Sequence, residues 1–329
     1  MLRFFPRALF ALSALVASAS AQPASAQPAS DLASRVELHL FTSQTLTDSQ
    51  FLQGDKTAPS VTLSGLLRFP AKAAAGAKLP VVIIVHGSGG NNSGHENWAR
   101  VLNQMGIATF NIDSFAGRKI VQVNTNQDAL GRFNMVLDTF RAQELLAAHP
   151  RIDAERIAVL GTSRGGTAVL YAAMKRFQKV WSPNYKVVAT FPLYASCFDL
   201  VDQDHDATGV IREFHGDADN YVDVQKCVDL FKRMKSAGVN VDYVSFPGVH
   251  HAYDNVLSSA PAPSKGAQAM LKCIVKEEKG VLVNQETKQM FSYKDACVTL
   301  DPFTGHNAEA TAKTISAVTG ELRNLLKLP

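Results

Sequence analysis

Short runs of apolar, often β-branched residues alternate with longer segments of helical periodicity along most of this chain. The clearest run is LPVVIIVHG at residues 79–87, which has the length and composition of a buried strand. The segments 96–106 and 129–150 have helical spacing and stop at Gly106 and Pro150. Strands that alternate with helices predict an α/β fold, in which a mostly parallel sheet is covered by helices on both faces.

The rest of the chain continues this alternation. We expect further strands at 36–41, 61–70, 107–113, 156–161, 185–194, 209–216 and 241–248, and helices at 164–177, 222–238, 266–280 and 308–326. No internal repeat and no change of composition follows residue 34, so residues 35–329 are expected to form a single domain. In such a sheet, ligands bind beyond the carboxyl ends of the strands, and catalytic loops are expected there.

The N-terminal residues have the layout of a secretory signal peptide. Two arginines precede an apolar centre at 8–16, and small residues follow up to Ala21. The apolar centre is far shorter than the ~20 residues that span a bilayer. We therefore expect residues 1–21 to be removed and a soluble protein to be exported, with Ala26 marking an alternative cleavage point. Residues 22–34, rich in Ala, Ser, Pro and Gln, predict a flexible leader.

The charge pattern excludes some classes of partner. The formal net charge is +4 at pH 7, and no block of like charges occurs. A protein that binds nucleic acid or an anionic membrane usually concentrates positive charge. We therefore expect neither nucleic acid nor membrane insertion, and the sequence carries no sign of a particular oligomeric state.

The four cysteines form an even set, which in an exported protein predicts disulfides. Sequence order favours the pairs Cys197–Cys227 and Cys273–Cys297, each closing a loop of moderate length. By chain entropy, such a loop contributes ~3 kcal/mol of stability. No Cys-x-x-Cys or clustered Cys/His spacing favours a zinc site, so no metal is expected.

One serine stands where a strand-like run meets a helical pattern, in GTSRGG at 161–166. A G-x-S-x-G turn between strand and helix holds a nucleophilic serine on a tight, strained bend, and its glycines avoid clashes with neighbouring backbone. The helix that follows presents free N–H groups to a developing oxyanion. The alternative is that Ser163 only caps the helix. The later loops favour the nucleophile.

A nucleophilic serine needs a histidine base, which is itself oriented by an acid. In α/β sheets of this kind the chain order is serine, acid, histidine, each on a loop after a strand. The acidic loop DADNYVD offers Asp217 and Asp219, and the later loop VHHAYD offers His250 and His251. Asp219 lies 56 residues after Ser163 and His251 lies 32 residues after Asp219, so each interval holds about one strand–helix unit.

Three other polar residues near these loops are interpreted as structural. Asp223 stands at a helix start, where the helix dipole favours a first-turn carboxylate. His215 ends a strand and is expected to be packed or hydrogen-bonded, and His205 lies in a polar loop.

A glycine-rich loop, HGSGGNNSG at 86–94, directly follows the strand at 79–87. In the same type of site this loop supplies one N–H group to the oxyanion. The backbone N–H of Ser88, or of Gly87, is therefore expected to act with that of Arg164.

Together these segments resemble the α/β-hydrolase fold and, within it, the dienelactone hydrolase-like family. The segments that carry the resemblance are HGSGG (86–90), DSFAGR (113–118), GTSRGG (161–166), HGDADNYV (215–222) and PGVHHAY (247–253). They span most of the mature chain in the expected order. The resemblance implies that the acid is Asp219, three residues after a glycine, and that the base is His251, which precedes a small residue and an aromatic one. It also relates the cysteines to those of secreted members.

One position departs from the family pattern. Dienelactone hydrolases proper carry a cysteine nucleophile, whereas residue 163 is serine. The resemblance therefore implies serine ester hydrolysis, with no metal or organic cofactor, rather than lactone hydrolysis.

The sequence thus predicts an exported serine hydrolase that cleaves carboxylic esters through an acyl-enzyme, with a small-molecule or oligomeric ester as substrate. The alternatives are a serine peptidase or amidase of the same fold and, less favoured, a non-catalytic binding protein on a hydrolase scaffold. The sequence does not define the substrate. Five side chains fit either a pocket wall or the core: Trp98, Phe115, Arg118, Tyr194 and Tyr221.

Overall fold

The structure is a computed structural model that describes residues 35–71, 73, 76–198, 200, 205–258 and 260–328. The predicted signal peptide (1–21) and flexible leader (22–34) lie outside the described residues.

Eight strands form the central sheet. They are β1 (Val36–Gln44), β2 (Ser60–Arg68), β3 (Leu79–Val85), β4 (Ala108–Asp113), β5 (Ile152–Thr162), β6 (Ala189–Leu193), β7 (Val210–Gly216) and β8 (Val241–Phe246). Their order across the sheet is β1-β2-β4-β3-β5-β6-β7-β8. Strand β2 pairs antiparallel with β1 and β4, and the pairs from β4 onward to β8 are parallel. The predicted α/β class with a mostly parallel sheet is confirmed.

Seven α-helices accompany the sheet. They are α1 (Asp48–Gln53), α2 (Ser93–Gln104), α3 (Asn134–Ala147), α4 (Arg164–Ala172), α5 (Lys175–Trp181), α6 (Val224–Ser236) and α7 (Ala308–Leu325) among the described residues. The unpredicted helix α1 begins with a capping box, in which Thr47 and Gln50 satisfy each other's backbone N–H groups.

The middle strand β3 explains why helices cover both faces. Its residues 81–85 are fully buried, and alternate side chains enter two different hydrophobic clusters. Val81 and Ile83 point into the cluster formed with α3, α4, α5 and α6, whereas Val82 and Ile84 point into the cluster formed with α2 and α7. A strand with two buried faces must be apolar at every position, which is how its sequence reads.

The predicted helix at 266–280 is wrong. That segment contains β10 (Gln268–Ala269) and β11 (Val275–Glu278), and β11 forms an antiparallel hairpin with β12 (Val281–Asn284). Lys279 and Gly280, which join the two strands, both have positive φ, as the tightest hairpin turn requires. The side chains of β11 alternate between buried and exposed, and this period of two outweighs the helical propensity of its Lys and Glu residues.

The hairpin is part of a long loop that we call the excursion, residues 260–305, which runs between the loop carrying His251 and helix α7. Its other short strands are β9 (Ala262–Pro263), β13 (Thr299–Leu300) and β14 (Phe303–Thr304). Strand β10 pairs with β13, and β9 pairs with β14, so the ends of the excursion lie side by side.

The predicted helix at 164–177 is interrupted. Helix α4 ends at Ala172, and Met174 adopts an extended conformation that pairs with Ala207 before α5 begins. The remaining predicted strands and helices correspond to observed elements, with ends that differ by a few residues.

Two disulfides join the pairs that the sequence order favours. Cys197, in the loop after β6, is bonded to Cys227 on α6, and Cys273 is bonded to Cys297 within the excursion. Disulfides of this kind are typical of proteins from oxidising compartments. Of the helices in the described part of the chain, none has the length and apolar character needed to cross a membrane.

Candidate active site

Ser163 lies on the bend between β5 and α4. Its backbone has φ 53° and ψ −118°, a conformation that residues with a side chain rarely adopt and that stores strain. The neighbouring glycines are required by close packing: a Cβ on Gly161 would lie 2.1 Å from the Gly165 carbonyl oxygen, and one on Gly165 would lie 2.1 Å from that of Val85. The Ser163 side chain makes no capping hydrogen bond, which removes the helix-cap alternative.

The hydroxyl of Ser163 instead contacts His251. Ser163 Oγ lies 2.8 Å from His251 Nε2, and His251 Nδ1 lies 2.6 Å from Asp219 Oδ2. Because an ionised carboxylate only accepts hydrogen bonds, Nδ1 carries the proton toward Asp219 and Nε2 is free to accept from the serine. The three predicted residues therefore form one hydrogen-bonded row.

Asp219 is held by the acidic loop itself. Its Oδ1 accepts hydrogen bonds from the backbone N–H groups of Tyr221 (2.8 Å) and Val222 (3.2 Å). Burial opposes ionisation of this carboxyl, but the charges and hydrogen bonds of His251 and His215 outweigh it and hold the pKa of Asp219 well below its ordinary value. Asp219 is therefore an anion at neutral pH.

The other acidic residues and the other histidine of these two loops make different contacts. Asp217 accepts a hydrogen bond from Gly248 N–H, and Asp223 caps α6 by accepting from Gln225 N–H, where we expected a first-turn carboxylate. The His250 ring packs against Phe303 instead of Ser163.

Two aromatic rings enclose the His251 imidazole. Tyr194 meets it edge-on at 4.7 Å between ring centroids, and the Tyr221 ring lies at a centroid distance of 4.7 Å with an angle of 30° between the ring planes. These contacts limit the ring to few orientations. Of the other side chains considered as pocket walls, Trp98 and Phe115 are buried in the core, and Arg118 is bound to Asp138.

Backbone N–H groups approach the serine from two sides. Arg164 is the first residue of α4, so its N–H has no acceptor within the helix. The glycine loop passes close by, since a Cβ on Gly87 would lie 3.2 Å from the Ser163 Cβ, and in the described part of the chain the Ser88 N–H donates to no other group. Both loops are fixed through Gln127, whose carbonyl binds the Arg164 guanidinium and whose side chain accepts from Ser88 Oγ.

Comparison with known proteins shows the family to which the chain belongs. The family model described as the dienelactone hydrolase family matches residues 63–286, which is more than half of the chain. The chain belongs to the dienelactone hydrolase family. Membership makes it a hydrolase. Among curated proteins, none matches the sequence significantly.

Solved structures of the family share the fold. A dienelactone hydrolase-like promiscuous phosphotriesterase from metagenomic libraries superposes with a TM-score of 0.58 at 15% sequence identity, covering 88% of this chain and 99% of that chain. A protein from Klebsiella pneumoniae subsp. pneumoniae that is proposed to be a dienelactone hydrolase superposes with a TM-score of 0.55 at 12% identity, covering 87% and 98%. At these identities the similarity establishes the fold alone.

A second carboxylate–histidine pair, which no sequence motif indicated, adjoins the hydrogen-bonded row at Asp219. His215 Nε2 lies 3.1 Å from Asp219 Oδ2, and His215 Nδ1 lies 3.1 Å from Glu213 Oε1. All three side chains are fully buried. Burial opposes protonation of His215, but the hydrogen bonds to Asp219 and Glu213 outweigh this effect and raise the pKa of His215 to about 9. The expected packed or hydrogen-bonded His215 is confirmed, and the period of two along β7 could have indicated that Glu213 shares its face.

Burial also changes the ionisation of Glu213. Removal from water raises the pKa of its carboxyl, against the opposing effect of His215. Its Oε1 accepts from the Ala195 N–H, whereas Oε2 has no partner among the described residues. Cys227 also lies near Glu213 and His215, but its sulfur is bonded to Cys197, so this group has no thiolate to offer a metal.

A second set of side chains lies close enough together to bind one metal ion. It consists of Glu37 and His39 on β1 and His149, which follows α3. Hydrogen bonding accounts for this group. His149 Nδ1 accepts from the Arg151 N–H, which leaves its Nε2 protonated and donating to Glu37 at 3.0 Å. A metal would need that nitrogen unprotonated.

The excursion contributes residues that no motif signalled. Gln268, Met270 and Tyr293 line a cavity beside Ser163. The excursion is held there by Asp128, which accepts from Ser292 Oγ and the Tyr293 N–H, and by the bridge between His251 and Thr304.

Proposed function

We propose that this hydrolase cleaves carboxylic esters through an acyl-enzyme on Ser163. The observation that carries the proposal is the hydrogen-bonded row in which Ser163 Oγ lies 2.8 Å from His251 Nε2 and His251 Nδ1 lies 2.6 Å from Asp219. Strain at the serine and the absence of any capping role for its side chain add support. A carboxyl kept ionised in a buried site is the group expected to orient an imidazole base.

The mechanism follows from the roles of these groups. His251 Nε2 takes the proton from Ser163 as Oγ bonds to the ester carbonyl carbon, and the carbonyl oxygen becomes an oxyanion. The N–H groups of Ser88 and Arg164 donate to that oxyanion, and Asp219 stabilises the imidazolium. His251 then gives the proton to the leaving alkoxide. A water molecule, deprotonated by the same nitrogen, attacks the acyl carbon, and His251 returns that proton to Ser163 Oγ as the bond to the acyl group breaks and the acid leaves.

We also propose that the protein is exported before it acts. The signal-peptide pattern before Ala21 and the two disulfides support this.

Covalent labelling tests the nucleophile. Wild type, Ser163→Ala and the surface control Ser236→Ala are treated with an organophosphonate probe and weighed by intact mass, and turnover of p-nitrophenyl acetate is followed in parallel. We expect one adduct on wild type and on Ser236→Ala, none on Ser163→Ala, and a loss of kcat on the order of 10⁴-fold or more. No adduct on folded wild type would reject the proposal and favour a non-catalytic scaffold.

A matched pair of substrates tests the bond that is cleaved. Aryl esters and aminoacyl arylamides with the same leaving group size are compared by kcat/KM. The proposal requires the ester to be the better substrate, and a preference for the amide would indicate a peptidase instead.

A further inference from the structure

Two spaces of different character meet at Ser163. The first, which we call the inner cavity, is lined mostly by buried residues and has a volume of about 40 Å³. Its walls are Ser88, Gln127, Arg132, Ser163, Arg164, Thr167, Ser196, Phe198, Tyr221, Val222, Gln268, Met270 and Tyr293.

The second space, which we call the outer groove, is larger, with a volume of about 140 Å³. It is lined by Gly87–Gly90, Asn92, Asn124, Thr162, Ser163, Tyr194, Tyr221, His251, Ala252, Asn255, Ser258, Ser264 and Thr304. Most of these residues are partly exposed.

The position of His251 assigns the two halves of an ester to the two spaces. The imidazole that deprotonates the serine must hand its proton to the leaving alkoxide, so the alcohol half lies on the His251 side. His251 lines the outer groove and does not line the inner cavity. The acyl half therefore points the other way, into the inner cavity, with its carbonyl oxygen toward Arg164.

The inner cavity admits only a short acyl chain. One water needs roughly 10–15 Å³ on the same measure, so the cavity's volume of about 40 Å³ corresponds to about three waters or a chain of one to three carbons. Phe198, Val222 and Met270 line the space with buried apolar side chains. A longer chain would have to displace these side chains, which close packing resists.

The outer groove is polar and uncharged. Its lining has no Asp, Glu, Lys or Arg side chain, and hydroxyl and amide side chains predominate. Asn124, Ser258 and Ser264 bind no other group through their side chains in the described part of the chain, and each is only partly buried. Neutral amide and hydroxyl groups of this kind pair well with hydroxyl groups, because each can donate and accept.

We infer that the substrate is an ester of a short acyl group, acetyl to butyryl, with a neutral alcohol rich in hydroxyl groups, such as a sugar. This inference rests on the proposed ester hydrolysis at Ser163. The acyl group occupies the inner cavity and the sugar occupies the outer groove.

The acyl half is tested with p-nitrophenyl acetate, butyrate and octanoate. In wild type we expect kcat/KM for the octanoate to be at least 100-fold below that for the acetate. Met270→Ala, which enlarges the inner cavity, should reduce this ratio about 10-fold, at the lower end of the effect that one methylene group has on kcat/KM. Met290→Ala is the control, since Met290 belongs to the same excursion but is 67% exposed. Octanoate turnover equal to that of the acetate would overturn the inference.

The alcohol half is tested by comparing an acetylated methyl hexoside with cyclohexyl acetate. We expect kcat/KM to be at least 10-fold higher for the sugar ester. Asn124→Leu, which keeps the side-chain size and removes the amide, should lower the ratio of sugar-ester to cyclohexyl-ester turnover several-fold. Asn126→Leu, at an exposed position on the same loop, should leave that ratio at the wild-type value. A preference for the cyclohexyl ester would overturn the inference.

Different results would reject the substrate inference and the proposed ester hydrolysis. Phosphonate labelling of Ser163 without the expected substrate preferences would reject only this inference. Absence of labelling would reject ester hydrolysis at Ser163 as well.

Discussion

Gly165 shows how tightly single residues determine the shape of the nucleophile bend. A Cβ at this position would lie 2.1 Å from the Val85 carbonyl oxygen, so Gly165→Ala must push α4 away from β3. We expect a loss of roughly 1–3 kcal/mol in the free energy of unfolding, as for other overpacked cores. Gly320→Ala is the matched control, because a Cβ on Gly320 of α7 meets nothing within 4 Å, and it should raise stability by about 0.5–1 kcal/mol.

Urea unfolding of both variants measures the difference. Equal stability of Gly165→Ala and wild type would mean that the strand and helix at the bend separate more easily than the packing indicates.

We expect the buried pair of Glu213 and His215 to make stability depend on pH. The pKa of His215 is raised from 6.5 to about 9 in the folded protein. A raised pKa stabilises the fold fully below the unfolded value and loses that stabilisation as the pH rises through the folded value. We therefore expect Tm to fall between about pH 6.5 and pH 9. In Glu213→Gln, His215 loses one of the two carboxylates that hold its proton, so the fall should begin at lower pH.

Calorimetry from pH 6 to pH 10 on both proteins checks this. The pH profile of kcat/KM adds a second readout: if His215 positions Asp219, Glu213→Gln should shift that profile, whereas a purely structural pair would change Tm alone. Identical Tm profiles for the two proteins would contradict the charged state inferred for His215.

Among the elements of the fold, the sequence predicts the strands and helices around the central sheet better than it predicts the structure of the excursion. Strands such as β3 carry their own signal, because a strand buried on both faces must be apolar throughout. The contact between Ser163, Asp219 and His251 could be expected because each follows a strand end in a fixed chain order. The helix predicted around β11 is wrong because the Lys and Glu residues favour helix locally, whereas a hairpin turn and a disulfide determine the structure of this segment. Gln268, Met270 and Tyr293 reach Ser163 only through that tertiary arrangement, so no local pattern indicates their role.

The two disulfides act on different elements, and their removal should have different effects. Cys197–Cys227 ties the loop after β6 to α6 and lies in the main core, so the double Ser variant should lose ~3 kcal/mol of global stability. Cys273–Cys297 closes the excursion. Its double Ser variant should show faster amide hydrogen exchange within 266–304 and a smaller change in Tm, because that loop supplies none of the eight strands of the central sheet. Equal loss of Tm in both variants would show that the excursion unfolds together with the sheet.

For the whole molecule, we propose that the described residues form the one domain expected from the sequence. Both hydrophobic clusters pack on opposite faces of the same sheet, so neither can persist when the sheet is lost. We expect a single calorimetric transition whose van't Hoff and calorimetric enthalpies agree. Two resolved transitions would instead place a domain boundary within residues 35–329.

The export that we propose would connect the N-terminus to the disulfides, because reducing compartments keep thiols from pairing. We expect the full chain, expressed in a bacterium, to reach the periplasm and to begin after Ala21 or Ala26, as peptide mass analysis of its N-terminus would show. Alkylation under denaturing conditions should then modify none of the four cysteines. A variant lacking residues 2–21 should remain in the cytosol, accept up to four alkyl groups and unfold at lower temperature. Free thiols in the periplasmic protein, or an uncleaved N-terminus there, would contradict export as the source of the disulfides.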